Sequence, residues 1–229
     1  MSQREARSRQ YSTAGPTRRA PSRLRPARSS SGWHPPAHST SAAESCKLAT
    51  FARTYPDVVL DVSTDESRLD LVGSGFDAGV QYGEFIQHDM VAVRVSPDHR
   101  PAIVGSSAYF ADHPKPTSPH ELLQHRCVNY RHGSGEIYQW QLDKGDQSVV
   151  VAVNGPLITN DIGLLTRAAI DGVGLVFMSD EQAAPHLTSG ALVRVLEDWC
   201  PPFPGFFLYY PSRRQHPAAL SALIDTLRV

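Results

Sequence analysis

The chain has 229 residues, of which 41% are hydrophobic and 8% aromatic, enough to bury the core of one domain or two lobes. No apolar run approaches the roughly 20 residues that span a bilayer, and the N-terminus has no apolar signal core. Three widely spaced cysteines, Cys46, Cys127 and Cys200, are too few for a disulfide or zinc framework. These features exclude a membrane-spanning protein and predict a protein of the reducing cytoplasm.

The net charge of −1 conceals two segments of opposite charge. Residues 1–45 contain eight Arg, no Lys and only two acids, so they carry about +6 and the rest of the chain about −7. The segment is rich in Ser and Pro and poor in large apolar side chains, so burial cannot offset the entropy of ordering it. We predict a disordered tail. A nucleic-acid-binding arm and an organellar transit peptide are the functional alternatives to a solvated tail without a role.

From about residue 41, strand and helix patterns alternate as in an α/β domain. A short helix over 46–54 stops before Pro56, and capping boxes at Ser118–Glu121 and Ser179–Gln182 predict two further helix starts. A C-terminal helix from about Pro217 to Arg228 has an apolar stripe formed by Leu220, Leu223, Ile224 and Leu227. The other predicted elements are strands at 58–63, 76–82, 89–96, 102–106, 127–131, 192–196 and 206–210, a helix at 67–75, and a hairpin around the turn KGDQ at 144–147.

The segment from Thr159 to Met178 has the clearest pattern in the chain. Asn160 or Asp161 can cap a helix whose apolar residues recur at helical spacing, and Gly172 can take the left-handed conformation that ends it. Residues 173–178 then form an unbroken apolar run, typical of a strand covered on both faces. Together they predict a parallel α/β layer, in which small molecules bind beside the carboxyl ends of strands and the amino ends of helices.

The order of the segments along residues 46–229 resembles the effector-binding domain of LysR-type transcriptional regulators. The segments are YPDVVLDV, LDLVGSGFDAGVQYGE, DMVAVRVS, AIVGSSAYFADHPKPTSPHELLQHRCVNY, TNDIGLL, GVGLVF, GALVRVL and LYYPSRRQHPAALSALIDTLR. The resemblance implies an α/β fold like that of type 2 periplasmic binding proteins, with two α/β lobes and an effector in the cleft between them. Lobe I would comprise residues 46–95 and 203–229, and lobe II residues 97–196. The crossovers near Val95–Ser96 and Trp199–Pro204 would be hinges.

Two parts of the family pattern have no counterpart here. Residues 1–45 lack the apolar periodicity of the family's winged helix-turn-helix and dimerisation helix, so DNA contact would require a missing domain. The family's first strand of lobe I should precede the helix at 46–54, yet AHSTSAAES shows no strand pattern. We therefore expect a truncated or frameshifted form in which residues 1–45 replaced family sequence, with an unpaired strand edge in lobe I.

The resemblance places the effector among strand ends and helix amino ends. Thr159 and Asn160, beside free amides at the positive end of a helix, could hold a carboxylate, and Arg131 could pair with an anion. The structural alternatives are that Asn160 and Ser106 only cap helices, that Arg131 is solvated, and that Phe177 packs in the core. The candidate effector-binding residues are Thr64 in lobe I and Ser106, Asn129, Arg131, Thr159, Asn160 and Phe177 in lobe II.

The sequence shows no catalytic or metal-binding constellation. Its ten histidines lack ligand spacing, and neither a GxSxG elbow nor a phosphate-binding glycine loop with its lysine occurs. We predict no metal, no cofactor and no enzyme activity, and a domain that senses a small organic effector, for example a carboxylate, as a homo-oligomer or in a mixed dimer with an intact relative. The alternatives are a free-standing solute-binding protein of the same fold, which would need an export signal, and nucleic-acid binding through the basic tail.

Overall fold

The computed structural model describes residues 23–24, 42–62, 75–83, 86, 89–133, 135–212 and 217–229, and side chains from residue 46 onward. The predicted helix at 67–75, apart from Gly75, lies outside the described residues. Short 3-10 helices occupy Pro119–Gln124 and Glu197–Trp199. The other elements are β1 Arg23–Leu24, α1 Ala42–Thr54, β2 Val59–Leu60, β3 Gly79–Tyr82, β4 Met90–Arg94, β5 Pro101–Ser106, α2 Ser107–Asp112, β6 Val128–Tyr130, β7 Trp140–Lys144, β8 Gln147–Val151, β9 Leu157–Thr159, α3 Ile162–Ile170, β10 Val176–Ser179, α4 Asp180–Thr188, β11 Leu192–Val195, β12 Phe206–Pro211 and α5 Ala218–Leu227.

Lobe I is built on a three-stranded sheet in which β12 lies between β3 and β4, antiparallel to both. Helices α1 and α5 pack beside it, and the Lys47 ammonium donates to the Leu227 carbonyl at 2.7 Å, which ties the end of α5 to α1. All four residues of the predicted α5 stripe are buried. On α1, Phe51 is fully buried while Ala49 and Ala52 are exposed.

The structure corrects two expectations about the start of the domain. Helix α1 begins at Ala42, before the predicted boundary at residue 46, because Ala, Ala and Glu are good helix formers. In addition, β1 pairs in parallel with β2, Arg23 opposite Val59 and Leu24 opposite Leu60. Two residues of the basic segment therefore supply a strand beside β2, where we had expected an unpaired edge.

Lobe II contains a mixed sheet rather than the purely parallel layer that the sequence predicted. Strand β5 lies between β10 and β11 and runs antiparallel to both. On the other side of β10, a parallel bridge between Cys127 and Leu175 leads to β6, which is parallel to β9. The expectation of a strand covered on both faces is confirmed, because Val176, Phe177 and Met178 are all buried.

Local signals placed most helix ends of lobe II correctly. Gly172 follows α3 with φ +75°, and Ser179 and Gln182 form the predicted capping box at the start of α4. The box predicted at Ser118 is wrong. A 3-10 helix begins there, and the Ser118 hydroxyl donates to the Glu121 carboxylate at 3.0 Å instead of accepting a backbone amide.

Two separate apolar cores accompany the two sheets, so the molecule consists of two α/β lobes. The core of lobe I surrounds Phe51 and Leu208, whereas the core of lobe II surrounds Trp140, Leu165 and the β10 residues. The predicted hairpin of β7 and β8 covers the second core and turns at Gly145, which has φ +59°. Among the described residues, no helix is long and apolar enough to cross a membrane.

Candidate functional site

The carboxyl ends of β6 and β9 meet at one edge of the lobe II sheet. Asn129 lies opposite Ile158 and Tyr130 opposite Thr159, and the Arg131 amide donates to the Thr159 carbonyl at 2.9 Å. Helix α3 starts three residues beyond Thr159, at the same edge. Four of the candidate residues, Asn129, Arg131, Thr159 and Asn160, are thereby brought together.

The structure decides between the two predicted caps of α3, and the outcome sets the charge at this helix end. Asp161, not Asn160, is the N-cap, and its carboxylate accepts the Leu164 amide at 2.7 Å. The Thr159 hydroxyl in turn accepts the Asp161 amide at 3.0 Å. A carboxylate therefore already occupies the positive end of the helix, which weakens the attraction of this end for an anionic ligand. Asn160 itself is exposed.

Arg131 has an exposed side chain at the end of β6. Its guanidinium donates one hydrogen bond to the Gly135 carbonyl at 2.9 Å, within the loop that follows the strand. This bond orients the guanidinium while leaving most of its five N–H donors for other partners. This end of the lobe II sheet therefore carries one oriented cation, Arg131, and one anion, Asp161.

Asn129 and Phe177 contribute a buried part of the same edge. The Asn129 amide nitrogen donates to the Val153 carbonyl at 3.1 Å, while its carbonyl oxygen accepts no hydrogen bond from any described residue. The parallel bridge between Cys127 and Leu175 places β6 next to β10, so Asn129 and Phe177 occupy corresponding positions, each two residues beyond the bridge.

Two candidate residues are not part of this group. Ser106 is buried and caps α2, accepting the Tyr109 amide at 3.2 Å. Because Pro101 pairs with Ser179 at the carboxyl end of β10, Ser106 lies five residues, or about 17 Å, away along β5. Thr64 lies outside the described residues.

The two crossovers touch each other at the same edge of lobe II. His99 and Phe203 exchange two backbone hydrogen bonds of 2.9 and 2.8 Å. The buried Ser96 hydroxyl accepts the Phe206 amide at 2.6 Å and contacts His99 Nε2 at 3.1 Å. Burial lowers the pKa of His99, with Glu181 and Asp98 raising it and Arg94 lowering it. The family resemblance predicts crossovers at these positions, but no sequence pattern indicates the contact between Ser96 and His99.

Tyr138 is a buried residue that the sequence reasoning missed. Its ring packs against Phe177 at 5.4 Å between centroids and against His132 at 5.8 Å. Its hydroxyl has no hydrogen-bond partner among the described residues. The surrounding sequence, GEIYQW, has no motif that could have revealed this position. The described residues also contain no group of three or more His, Cys, Asp or Glu that could hold a metal ion.

Comparison with known proteins decides the family. The family model of the LysR substrate binding domain matches residues 46–229. The chain belongs to this family. A putative transcriptional regulator of Pseudomonas aeruginosa is 44% identical to this LysR substrate-binding domain over 183 residues, which are 80% of the chain and 60% of the relative. The HTH-type transcriptional regulator PgrR of Escherichia coli is 38% identical over 182 residues, which are 79% of the chain and 61% of the relative.

The solved structures show the same fold. The full-length virulence activator AphB of Vibrio cholerae, a member of the LTTR family, matches with a TM-score of 0.72 and 24% identity, over 90% of this chain and 67% of AphB. The fold predicted from the resemblance, two periplasmic-binding-protein-like α/β lobes, is confirmed. The curated relatives are transcriptional regulators rather than enzymes, and the LysR substrate-binding domain spans about 60% of the length of the first of them.

Proposed function

We propose that this LysR substrate-binding domain senses a small organic effector between its lobes and, in an intact regulator, passes the resulting change in lobe closure to a DNA-binding domain. The observation that carries the proposal is the meeting of β6, β9 and the start of α3, where the Arg131 amide binds the Thr159 carbonyl. Polar side chains at the carboxyl ends of strands, next to two contacting crossovers, are the arrangement in which α/β lobes bind small molecules.

Arg131 is the residue that we expect to bind a carboxylate of the effector. Its guanidinium is exposed and oriented by the Gly135 carbonyl, and its backbone amide binds the Thr159 carbonyl. Helix geometry leaves the Ile162 and Gly163 amides without intrahelical partners, so they can add two donors. Phe177 and Asn129 would contact the remainder of the effector, and Thr64 would complete the site from lobe I. We leave Ser106 out of the proposed set, because it lies at the other end of β5.

Sensing requires that the effector bind one arrangement of the lobes better than another. The described contacts between the crossovers, through Ser96, His99 and Phe203, adjoin the proposed site, so closing the cleft would bend the chain next to the ligand. The ratio of affinities for the open and closed arrangements sets how strongly the effector can act. In this reading the domain is not an enzyme.

We further propose that the domain works in the cytoplasm, as part of a homo-oligomer or of a mixed dimer with an intact relative. Ile158 on the edge strand β9 and Leu164 on α3 are 41% and 48% exposed, which is unusual for large apolar side chains on neighbouring elements. Such a surface with a free strand edge favours self-association. Contact with DNA would be made by a further domain.

A binding experiment tests the proposal. Small carboxylates and aromatic acids are screened by thermal shift, and the hits are measured by titration calorimetry on the wild type, Arg131→Gln and Arg167→Gln. We expect Arg131→Gln to weaken binding at least tenfold, since a charge-assisted pair is lost. Arg167→Gln is the matched control, because Arg167 is exposed on α3 and pairs with Asp171. A folded protein without any hit, or equal losses in both variants, would refute the proposal.

A further inference from the structure

Tyr138 carries a buried hydroxyl that the fold itself does not use. The residue is 5% exposed, and no described residue forms a hydrogen bond with its oxygen. The backbone of Gln141 lies close enough to lower the pKa of the Tyr138 hydroxyl, but the two groups do not meet the geometry of a hydrogen bond. Native structures rarely leave a buried hydroxyl unpaired, because the loss of its bonds to water is not compensated. A buried hydroxyl of this kind is therefore a candidate contact for a ligand.

A second unpaired oxygen belongs to Asn129. Asn129 is also 5% exposed, and its amide orientation is fixed because only the NH₂ group can donate to the Val153 carbonyl. Its carbonyl oxygen is left as an acceptor without a donor among the described residues. Asn129 neighbours Phe177 by strand register, and Tyr138 neighbours Phe177 by ring contact. The two unpaired oxygens thus belong to residues that both neighbour Phe177.

Tyr138 also lies where the lobes meet. Burial is the main reason why its pKa is raised, but the charges of Cys200 in the second crossover and Tyr82 in lobe I contribute as well. Tyr82 in turn stacks on Phe206 at 4.3 Å and contacts Phe203 at 5.2 Å. The Tyr138 hydroxyl therefore lies in the part of the lobe II core that is within electrostatic range of the second crossover and of strand β3 in lobe I.

We propose that Tyr138 and Asn129 determine the specificity of the effector site by binding a hydrogen-bond donor on a flat, apolar ligand that packs on Phe177. The inference rests on the proposed function, because it assigns a chemical class to the same effector. Arg131 lies two residues, or about 7 Å, beyond Asn129 along β6 and on the same face. A single aromatic ring with a carboxylate at one end and a hydroxyl or amino group at the other fits that separation.

The hydroxyl can be removed without changing the shape of the ring, by Tyr138→Phe. The probes are benzoate, 4-hydroxybenzoate and 4-aminobenzoate, measured by titration calorimetry. The wild type should bind the two substituted acids at least tenfold more tightly than benzoate, because a site built for a polar group rejects an analogue without it. Tyr138→Phe should lose most of this preference and retain only the part that the Asn129 oxygen supplies. Tyr55→Phe is the matched control, since Tyr55 is exposed at the end of α1.

A second measurement needs no ligand. Because the hydroxyl has no partner in the fold, Tyr138→Phe should melt at the same temperature as the wild type or higher. A fall of several degrees would show that the fold uses the hydroxyl and would overturn the inference, as would a variant that keeps the tenfold preference. If the acids bind the wild type without any preference, only the specificity inference fails. If no carboxylate binds, the proposed function fails with it.

Discussion

The contact between the crossovers can be tested by a single substitution, Ser96→Ala. The Ser96 hydroxyl is buried and accepts the Phe206 amide at 2.6 Å, and no other described acceptor binds that amide. The same hydroxyl contacts His99 Nε2 and donates to the Pro97 carbonyl at 3.1 Å. Removing it leaves a buried N–H group without a partner, and water cannot easily enter, since the Gly205 backbone packs directly on the Ser96 hydroxyl.

A buried donor without a partner costs about 1–3 kcal/mol, so we expect Ser96→Ala to lower the free energy of unfolding by about 2 kcal/mol. For a domain of this size that corresponds to a fall in Tm of about 4–8 °C. Urea denaturation and thermal melting followed by circular dichroism would measure both values. The matched control is Ser189→Ala, which removes an exposed hydroxyl bonded only to the His186 carbonyl. Equal stability losses in the two variants would refute the reasoning.

Three further perturbations follow from described contacts. Because burial lowers the pKa of His99, its folded and unfolded forms are both neutral above about pH 6.5, and stability should fall as the pH drops below that value, where only the unfolded chain takes the proton. In His99→Gln, the urea midpoint should fall less steeply as the pH drops. The part of the fall that comes from His125, whose pKa burial also lowers, should remain. An unchanged pH dependence of the midpoint would contradict the role of His99. Asp161→Ala should lower the free energy of unfolding, measured by urea denaturation, by about 1 kcal/mol, because the cap of α3 is lost. Asp161→Asn should leave it almost unchanged, since Asn also caps helices, and equal losses in the two variants would argue against a capping role. Gly172→Ala should lower the free energy of unfolding by about 1–2 kcal/mol, because Gly172 has φ +75°, and Gly172→Asn should lower it less. Equal melting temperatures of the wild type and the two variants would exclude backbone strain at this position.

Local sequence signals were sufficient for the elements that make up the helix-to-strand unit of lobe II. Ser179 and Gln182 sit three residues apart and cap α4 as the sequence predicts, and Gly172 ends α3 because only a residue tolerant of positive φ fits there. The choice between Asn160 and Asp161 could not be made in this way. It depends on the bond between the Thr159 hydroxyl and the Asp161 amide, which needs the backbone geometry at the end of β9.

The missed parts of the site all depend on contacts between distant segments. Tyr138 gains its position from the ring of Phe177, about 40 residues further along the chain, and nothing in its own neighbourhood predicts an unpaired hydroxyl. The pairing of β1 with β2 and the antiparallel placement of β5 beside β10 are also set by tertiary structure. Ser106 is the last residue of β5, and the sequence alone does not show the direction of that strand. Because β5 runs antiparallel to β10, its carboxyl end lies at the opposite edge of the sheet from the proposed site.

Strand direction also explains why the proposed sensing residues and the crossovers occupy one edge. The five joined strands of the described lobe II sheet are β9, β6, β10, β5 and β11, and β5 runs opposite to the other four. The chain enters β5 from the first crossover and leaves β11 into the second, so the carboxyl ends of the four parallel strands all point toward the crossovers. Arg131 and Asn160, which follow two of these strands, therefore lie on the side where the crossovers join the two lobes. A ligand held there contacts the rigid sheet and the bending segments at once, so its binding energy can be coupled to closure without a relay through the core of either lobe.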